Sequence, residues 1–244
     1  MLHKADNGIY TSPLLSSIEG LKHGFTTRAH GDMRHKNMIV SILGSDVVFV
    51  QAQQVHGADV ATIVPKTQTS SMSSVDGLVT TSRRNQLFLT VRTADCVPIL
   101  AVDPVRRIIG VAHSGWKGTV AKIPQALVRE MIAAGADCKN ICVVLGPSIG
   151  ACCYHVNDDR KKAFIRAFGD LAKGIVEKDG KVFLDLEKNI IDQLRFIGIA
   201  KHHIETASMC NSCLYPEFFS YRKDTKETFG EMLGFIGFES LRIL

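Results

Sequence analysis

Apolar residues in this chain fall into short, β-branched runs separated by polar punctuation. Val47–Val50, Val60–Val64, Phe88–Val91, Val97–Val102, Ile108–Ala112 and Ile141–Leu145 are of this kind. Runs this short, bounded by Asp, Pro, Gly or Ser, read as buried strands rather than helices. Asp103-Pro104-Val105-Arg106-Arg107 is a turn between two of them, because Pro104 fixes φ and cannot donate to a ladder. Earlier strands are expected at Ile9–Tyr10 and Leu21–Phe25, and later ones in the aromatic runs Phe218–Tyr221 and Phe235–Phe238. Pro65–Ser74 reads as a Ser/Thr-rich loop, and Asp76-Gly77 as a tight turn into a further strand. Helical spacing appears in three stretches. Val120, Ile123, Leu127, Val128 and Met131 predict a helix over Val120–Ala134, and Leu186, Ile190, Ile191 and Leu194 predict one over Leu184–Ile197; Asp158–Phe168 is the third. Strands interleaved with helices and hairpin-like pairs predict an α+β fold, with mixed sheets inside and helices outside, as one domain over residues 1–244.

Composition narrows the class. With 244 residues, 45% of them hydrophobic and 22% charged, the chain can bury a sizeable core. The first twenty residues hold no continuous apolar run, and no segment approaches the length needed to cross a bilayer, which predicts a cytoplasmic protein without a membrane partner. Seven cysteines, an odd number, then imply reduced thiols used for packing, metal or nucleophilic chemistry. The net charge of +5 is spread out rather than blocked, which excludes a nucleic-acid partner and suits a small anionic substrate such as phosphate.

Chemistry-bearing side chains gather at strand ends. Cys96 begins one apolar run, His113 ends another, and His56 lies in the polar exit of Val47–Val50. Imidazole and thiolate are the donors that zinc and copper take, and three protein donors leave a position open. The spacing alone leaves two other readings open: a loop histidine beside a core cysteine, or a Cys96 nucleophile with His113 as its base. Asp95, next to Cys96, is expected on the opposite face, holding a backbone group or Arg92. His30 and His35 are expected to face solvent. The Gly146–Gly150 loop has neither the lysine nor the spacing of a phosphate-binding loop. Cys210-x-x-Cys213 has no second pair nearby in sequence and reads as packing, and of the adjacent Cys152 and Cys153 at most one is expected to face a site.

Several motifs together resemble the YfiH-like family, also called the laccase-domain or polyphenol oxidase family. They are Gln54-Val55-His56-Gly57, Val75-Asp76-Gly77, Ala94-Asp95-Cys96, Ala112-His113-Ser114-Gly115-Trp116-Lys117-Gly118, Gly146–Tyr154, Gly24–Arg28 and Phe218–Asp224. The resemblance implies two packed mixed β-sheets flanked by helices in α/β/β/α layers, an arrangement shared with cysteine-hydrolase-like domains. It implies a catalytic zinc on His56, Cys96 and His113, with Arg28, Lys117 and Arg222 as substrate contacts. The implied reaction is phosphorolysis of adenosine, inosine, guanosine or methylthioadenosine to free base and ribose 1-phosphate, with adenosine deamination as a second activity. Three rivals stand beside it: a Cys96/His113 cysteine hydrolase such as an amidase that edits peptidoglycan precursors, a copper polyphenol oxidase, and a metal-stabilised binding protein without turnover. Copper ranks below zinc because the chain lacks the clustered histidines of a multi-copper site. The sequence departs from the family pattern in the short segment after Arg28 and at His155, where relatives more often carry Glu.

Overall fold

The apolar runs become the inner strands of two mixed sheets packed face to face. The computed structural model describes residues 1–63, 71–81, 87–169 and 172–239. The larger sheet is ordered β1 (His3–Lys4), β2 (Tyr10–Thr11), β3 (Leu21–Phe25), β16 (Met232–Phe238), β8 (Leu87–Thr93), β4 (Val48–Ala52), β6 (Ser71–Met72). The second is ordered β15 (Ile204–Thr206), β11 (Cys142–Leu145), β9 (Val97–Asp103), β10 (Ile108–Ser114), β7 (Gly77–Thr80), β5 (Val60–Ile63). A small third sheet, β12 (His155–Val156), β14 (Lys181–Leu184) and β13 (Ile175–Lys178), carries too little apolar pattern to be read from sequence.

Alternation decides what each strand faces. Leu100 and Val102 of β9 point into the layer between the sheets, with Val50, Leu89 and Val91 opposite and Ile109, Val111 and Val144 beside them. Ile99 and Ala101, one residue out of phase, pack outward under the helices α4 (Ile123–Ala133) and α6 (Leu186–Phe196) through Leu127, Val128, Met131, Ile190 and Leu194. Both faces of these strands are buried, which is why they read as continuous apolar runs. On the far side, Phe49, Phe88 and Phe235 of the larger sheet are covered by Ile39 of α2 (Lys36–Leu43). The layers are therefore α/β/β/α, with single-turn α1 (Pro13–Ser16) and α5 (Asp158–Phe168) at the periphery. No helix among the described residues is long and apolar enough to cross a membrane.

Four expectations need correction. The helix predicted over Val120–Ala134 is two helices, α3 (Trp116–Val120) and α4, broken at Lys122, whose φ is 67°. Pro124 is the cause: within one continuous helix it would lack the N–H for the carbonyl of Val120 and clash with it. Phe218–Tyr221 is not a strand. Phe218 and Phe219 are buried, but in a turn-rich segment, packed on Met232. The segment after Arg28 carries α2, with Met33 and Ile39 fully buried, and His30 is half-buried with Nδ1 at Thr27 and Nε2 2.9 Å from the Asn7 carbonyl. His35 is exposed as expected. Within the predicted Pro65–Ser74 loop, Ser71–Met72 form β6, and residues 64–70 lie outside the described residues.

Candidate active site

The chain crosses from the larger sheet to the smaller one twice at the same end, because β4 and β8 are parallel neighbours. The first crossing, between β4 and β5, carries His56; the second, between β8 and β9, carries Cys96. Strand β10 runs antiparallel to β9 and sets His113 opposite Pro98, back at that crossing. One donor atom from each of His56, Cys96 and His113 lies within 4.8 Å of the others, and the two imidazoles meet edge to face at 4.7 Å. Topology thus gathers residues that the sequence separates.

A residue read from sequence as a turn holds this arrangement. Asp76 is fully buried just before β7, and its carboxylate accepts the backbone N–H groups of Val55 (3.1 Å), His56 (3.0 Å) and Gly57 (2.7 Å). The same carboxylate lies 2.8 Å from Nδ1 of His113, and its backbone carbonyl accepts the His113 N–H at 2.8 Å. His56 sits at a φ of 62°, a left-handed backbone that a non-glycine residue keeps only when its surroundings impose it. Asp76 imposes it, and by occupying Nδ1 it leaves Nε2 as the free nitrogen of His113. Gln54 locks the same loop to β8 through two bonds to the backbone of Arg92, at 2.8 and 2.9 Å.

Space is equally constrained. A Cβ on Gly115 would lie 2.8 Å from Sγ of Cys96 and 3.3 Å from Cδ2 of His56, although its backbone, at φ −77°, is open to any residue. Gly115→Ala is therefore expected to keep the fold and to weaken metal binding at least ~10-fold. A zinc titration beside far-ultraviolet circular dichroism checks this, and unchanged affinity would contradict it.

Burial opposes ionisation of the Cys96 thiol, yet the adjacent His113 and His56 outweigh it and bring its pKa down to about 7. Burial likewise opposes protonation of His113, which Cys96 and Asp76 nonetheless hold up at about 9. Burial also pushes the Asp76 carboxyl up, but His113 and the Gly57 and Val55 N–H donors hold it below the ordinary carboxylate range. Chelator-treated protein should thus carry a thiolate and an imidazolium side by side from about pH 7 to 9. Alkylation of Cys96 is expected to rise with pH around a midpoint near 7, against about 8.5 for an ordinary thiol, and to be blocked by zinc. Peptide mapping after iodoacetamide reads it, and an ordinary midpoint would contradict it.

These side chains line a cavity of about 620 Å³, the size of a small-molecule site. Its apolar wall is Trp116, Ile149, Tyr154, Leu186, Tyr221 and Phe229; Arg92, Lys117, Arg160 and Arg222 supply positive charge, and Asp95 and Glu231 negative. Lys117 and Arg222 therefore reach the cavity, and Arg28 does not. The Arg28 guanidinium is bonded to the buried Asp224 carboxylate at 2.8 and 2.9 Å and stacks on Phe219 and Tyr215. It ties the 215–228 segment to the 3₁₀ turn after β3, because a buried carboxylate needs a counter-charge. Asp95 accepts the Arg222 N–H at 2.9 Å rather than pairing with Arg92, and its other oxygen is buried without a partner. His155 lies outside the cavity, exposed, with its ring on Phe183. Arg160, stacked 5.1 Å from the Trp116 ring, had no sequence signal beyond a charge on a helix.

Comparison with known proteins agrees with this architecture. Residues 22–239 match the family described as multi-copper polyphenol oxidoreductase laccase. The purine nucleoside phosphorylase LACC1 of Mus musculus is 32% identical over 96% of this chain and 59% of its own length, so the chain spans about three-fifths of that relative. The adenosine deaminase RL5, from an unknown prokaryotic organism, is 32% identical over 85% of this chain and 90% of its own. The crystal structure of the hypothetical protein YfiH of Bacillus licheniformis superimposes with a TM-score of 0.85 at 30% identity, covering 98% of this chain and 99% of that one. On this family match and these relatives, the chain belongs to the YfiH-like, laccase-domain family.

Proposed function

We propose that this chain is a zinc-dependent purine nucleoside phosphorylase that cleaves adenosine, inosine, guanosine or methylthioadenosine with phosphate. The observation that carries the reading is one cavity uniting a two-histidine, one-cysteine donor set with stacking aromatics and four cationic side chains. Two imidazoles and one thiolate are donors that zinc accepts; no fourth His, Cys, Asp or Glu joins the group among the described residues, which leaves a position for an exogenous oxygen. Held by His56, Cys96 and His113, zinc would supply a Lewis acid beside the reacting oxygen atoms.

The other residues divide the remaining work. Trp116, Tyr154, Tyr221 and Phe229 offer faces on which a purine can stack. Lys117, Arg160 and Arg222 neutralise phosphate, whose oxygen attacks C1′ of the ribose while the bond from C1′ to N9 breaks and its electron pair passes to the base. Asp95 lies in the cavity wall, where burial raises its pKa and its carboxylate holds the Arg222 backbone N–H, so its part is to position Arg222. Incubation of adenosine with and without phosphate tests the reading. Free base and ribose 1-phosphate, in equal amounts and only with phosphate, are expected, and Arg222→Ala should raise the phosphate KM about 10-fold or more at a smaller cost in kcat. Inosine and ammonia formed without phosphate would instead mark a deaminase.

A second reading has its own observation. Cys96, His113 and the buried Asp76 carry the residue types and the His–Asp bond of a thiol hydrolase triad. Such an enzyme would survive chelation and be inactivated by a thiol alkylator. The polyphenol oxidase reading has the matched family's description behind it, but His56 and His113 are the only histidines in the metal-capable groups among the described residues, too few for a multi-copper site.

A further inference from the structure

Four of the seven cysteines meet at one place outside the cavity. Cys152 and Cys153 follow β11, Cys210 and Cys213 follow β15, and their sulfurs all lie within 4.8 Å of one another. The Cys213 sulfur is 3.4 Å from that of Cys152 and 3.4 Å from that of Cys153. Tetrahedral zinc with bonds of about 2.3 Å to sulfur sets its ligands about 3.8 Å apart, close to these separations. Both vicinal cysteines face the cluster because residues 151–153 form a turn, where strand alternation does not apply. The second pair that Cys210-x-x-Cys213 lacks in sequence is thus supplied by the fold.

We propose that Cys152, Cys153, Cys210 and Cys213 hold a structural zinc ion, distinct from the His56, Cys96 and His113 set. The backbone around them is built for it. Ser148 and Cys210 form a bridge, with the Ser148 N–H donating to the Met209 carbonyl at 3.2 Å and the Asn211 N–H to the Ser148 carbonyl at 2.9 Å. The Leu214 N–H closes the Cys-x-x-Cys turn on the Cys210 carbonyl at 2.9 Å, and the Gly150 N–H donates to the Cys210 sulfur at 3.3 Å. A donor aimed at sulfur stabilises thiolate charge, the form a metal takes. A Cβ at position 150 would crowd the cluster, 3.2 Å from the Cys152 sulfur and 3.3 Å from the Cys210 Cβ.

The location gives the ion a function. One clasped segment carries Ile149 and Tyr154 to the cavity wall, and the other carries Tyr221 and Arg222. Arg222 already reaches across, donating to the His155 carbonyl at 3.0 Å and lying 5.0 Å from the Tyr154 ring. A zinc ion joining Cys152 and Cys153 to Cys210 and Cys213 fixes the distance between these two parts of the wall.

The test uses full-length Cys96→Ala protein, so that bound metal reports on the four cysteines whether or not the catalytic reading holds. Titration with Co²⁺ is expected to load one ion per chain, with the intense visible bands and sulfur-to-metal charge-transfer absorption of four thiolates, and Zn²⁺ should displace it. Adding Cys213→Ser or, separately, Cys152→Ser should abolish that spectrum. Failure of Cys96→Ala to bind either metal, a spectrum unchanged by both serine variants, iron in the protein as purified, or a mass two hydrogens short under non-reducing conditions would each overturn the proposal. Absence of nucleoside turnover in the wild type would leave it standing.

Discussion

Asp76→Ala is expected to damage both the fold and the site. The substitution strands three backbone N–H donors and the Nδ1 proton of His113 in a place where Asp76 itself is fully buried. Breaking a buried, hydrogen-bonded pair costs about 3–5 kcal/mol, a large share of the stability of a typical domain. Metal affinity should also fall by about 10–100-fold, because His56 loses the anchor of its left-handed backbone and His113 loses its tautomer. Asp76→Asn separates the two effects. Its amide oxygen still accepts from Val55 and Gly57, while its NH₂, standing where one carboxylate oxygen serves both His56 and His113, opposes both of their protons, so stability should recover further than affinity. Urea unfolding and a zinc titration on the three proteins measure this. A loss under about 1 kcal/mol in Asp76→Ala with unchanged affinity would show that the carboxylate is only a turn residue.

Cys96→Ala should abolish turnover while sparing the fold. It removes a small side chain from the bend between β8 and β9, where the backbone is held by β9 pairing and by the Ile149 N–H on the Asp95 carbonyl. What disappears is one of three donors, and with it the several kcal/mol that a bound metal gives to charge stabilisation, so phosphate-dependent release of base should fall about a thousand-fold or more. Added zinc should not restore it. Activity within ten-fold of wild type at saturating zinc would remove Cys96 from the chemistry.

The fold was legible where pattern and physics coincide. Val97–Val102 and Ile108–Ala112 became β9 and β10 because both faces are buried and Pro104 forces the turn between them. Pro124 likewise signalled the break between α3 and α4 in advance, but the apolar spacing masked it. Phe218 and Phe219 misled because burial, not pairing, accounts for their aromatic character.

In the site, the metal-capable residues stood out as side-chain types at strand ends, and motif resemblance grouped them. Their supports did not. Asp76 looks like any Asp-Gly turn until the fold lays His56 and His113 on either side of it. Arg28 shows the reverse: a conspicuous cation whose partner, Asp224, lies almost two hundred residues away and holds it out of the cavity. Long-range pairings of this kind leave no local periodicity to read.

If nucleoside phosphorolysis depends on a metal held by His56, Cys96 and His113, turnover must follow the ion's removal and return. The measurement is removal of metal with a chelator and its restoration with zinc, while following phosphate-dependent release of base from adenosine. Activity is expected to disappear with the metal and to return with zinc in wild type, but not in Cys96→Ala. Full activity in metal-free protein, abolished by alkylation of Cys96, would contradict it and leave the cysteine as nucleophile.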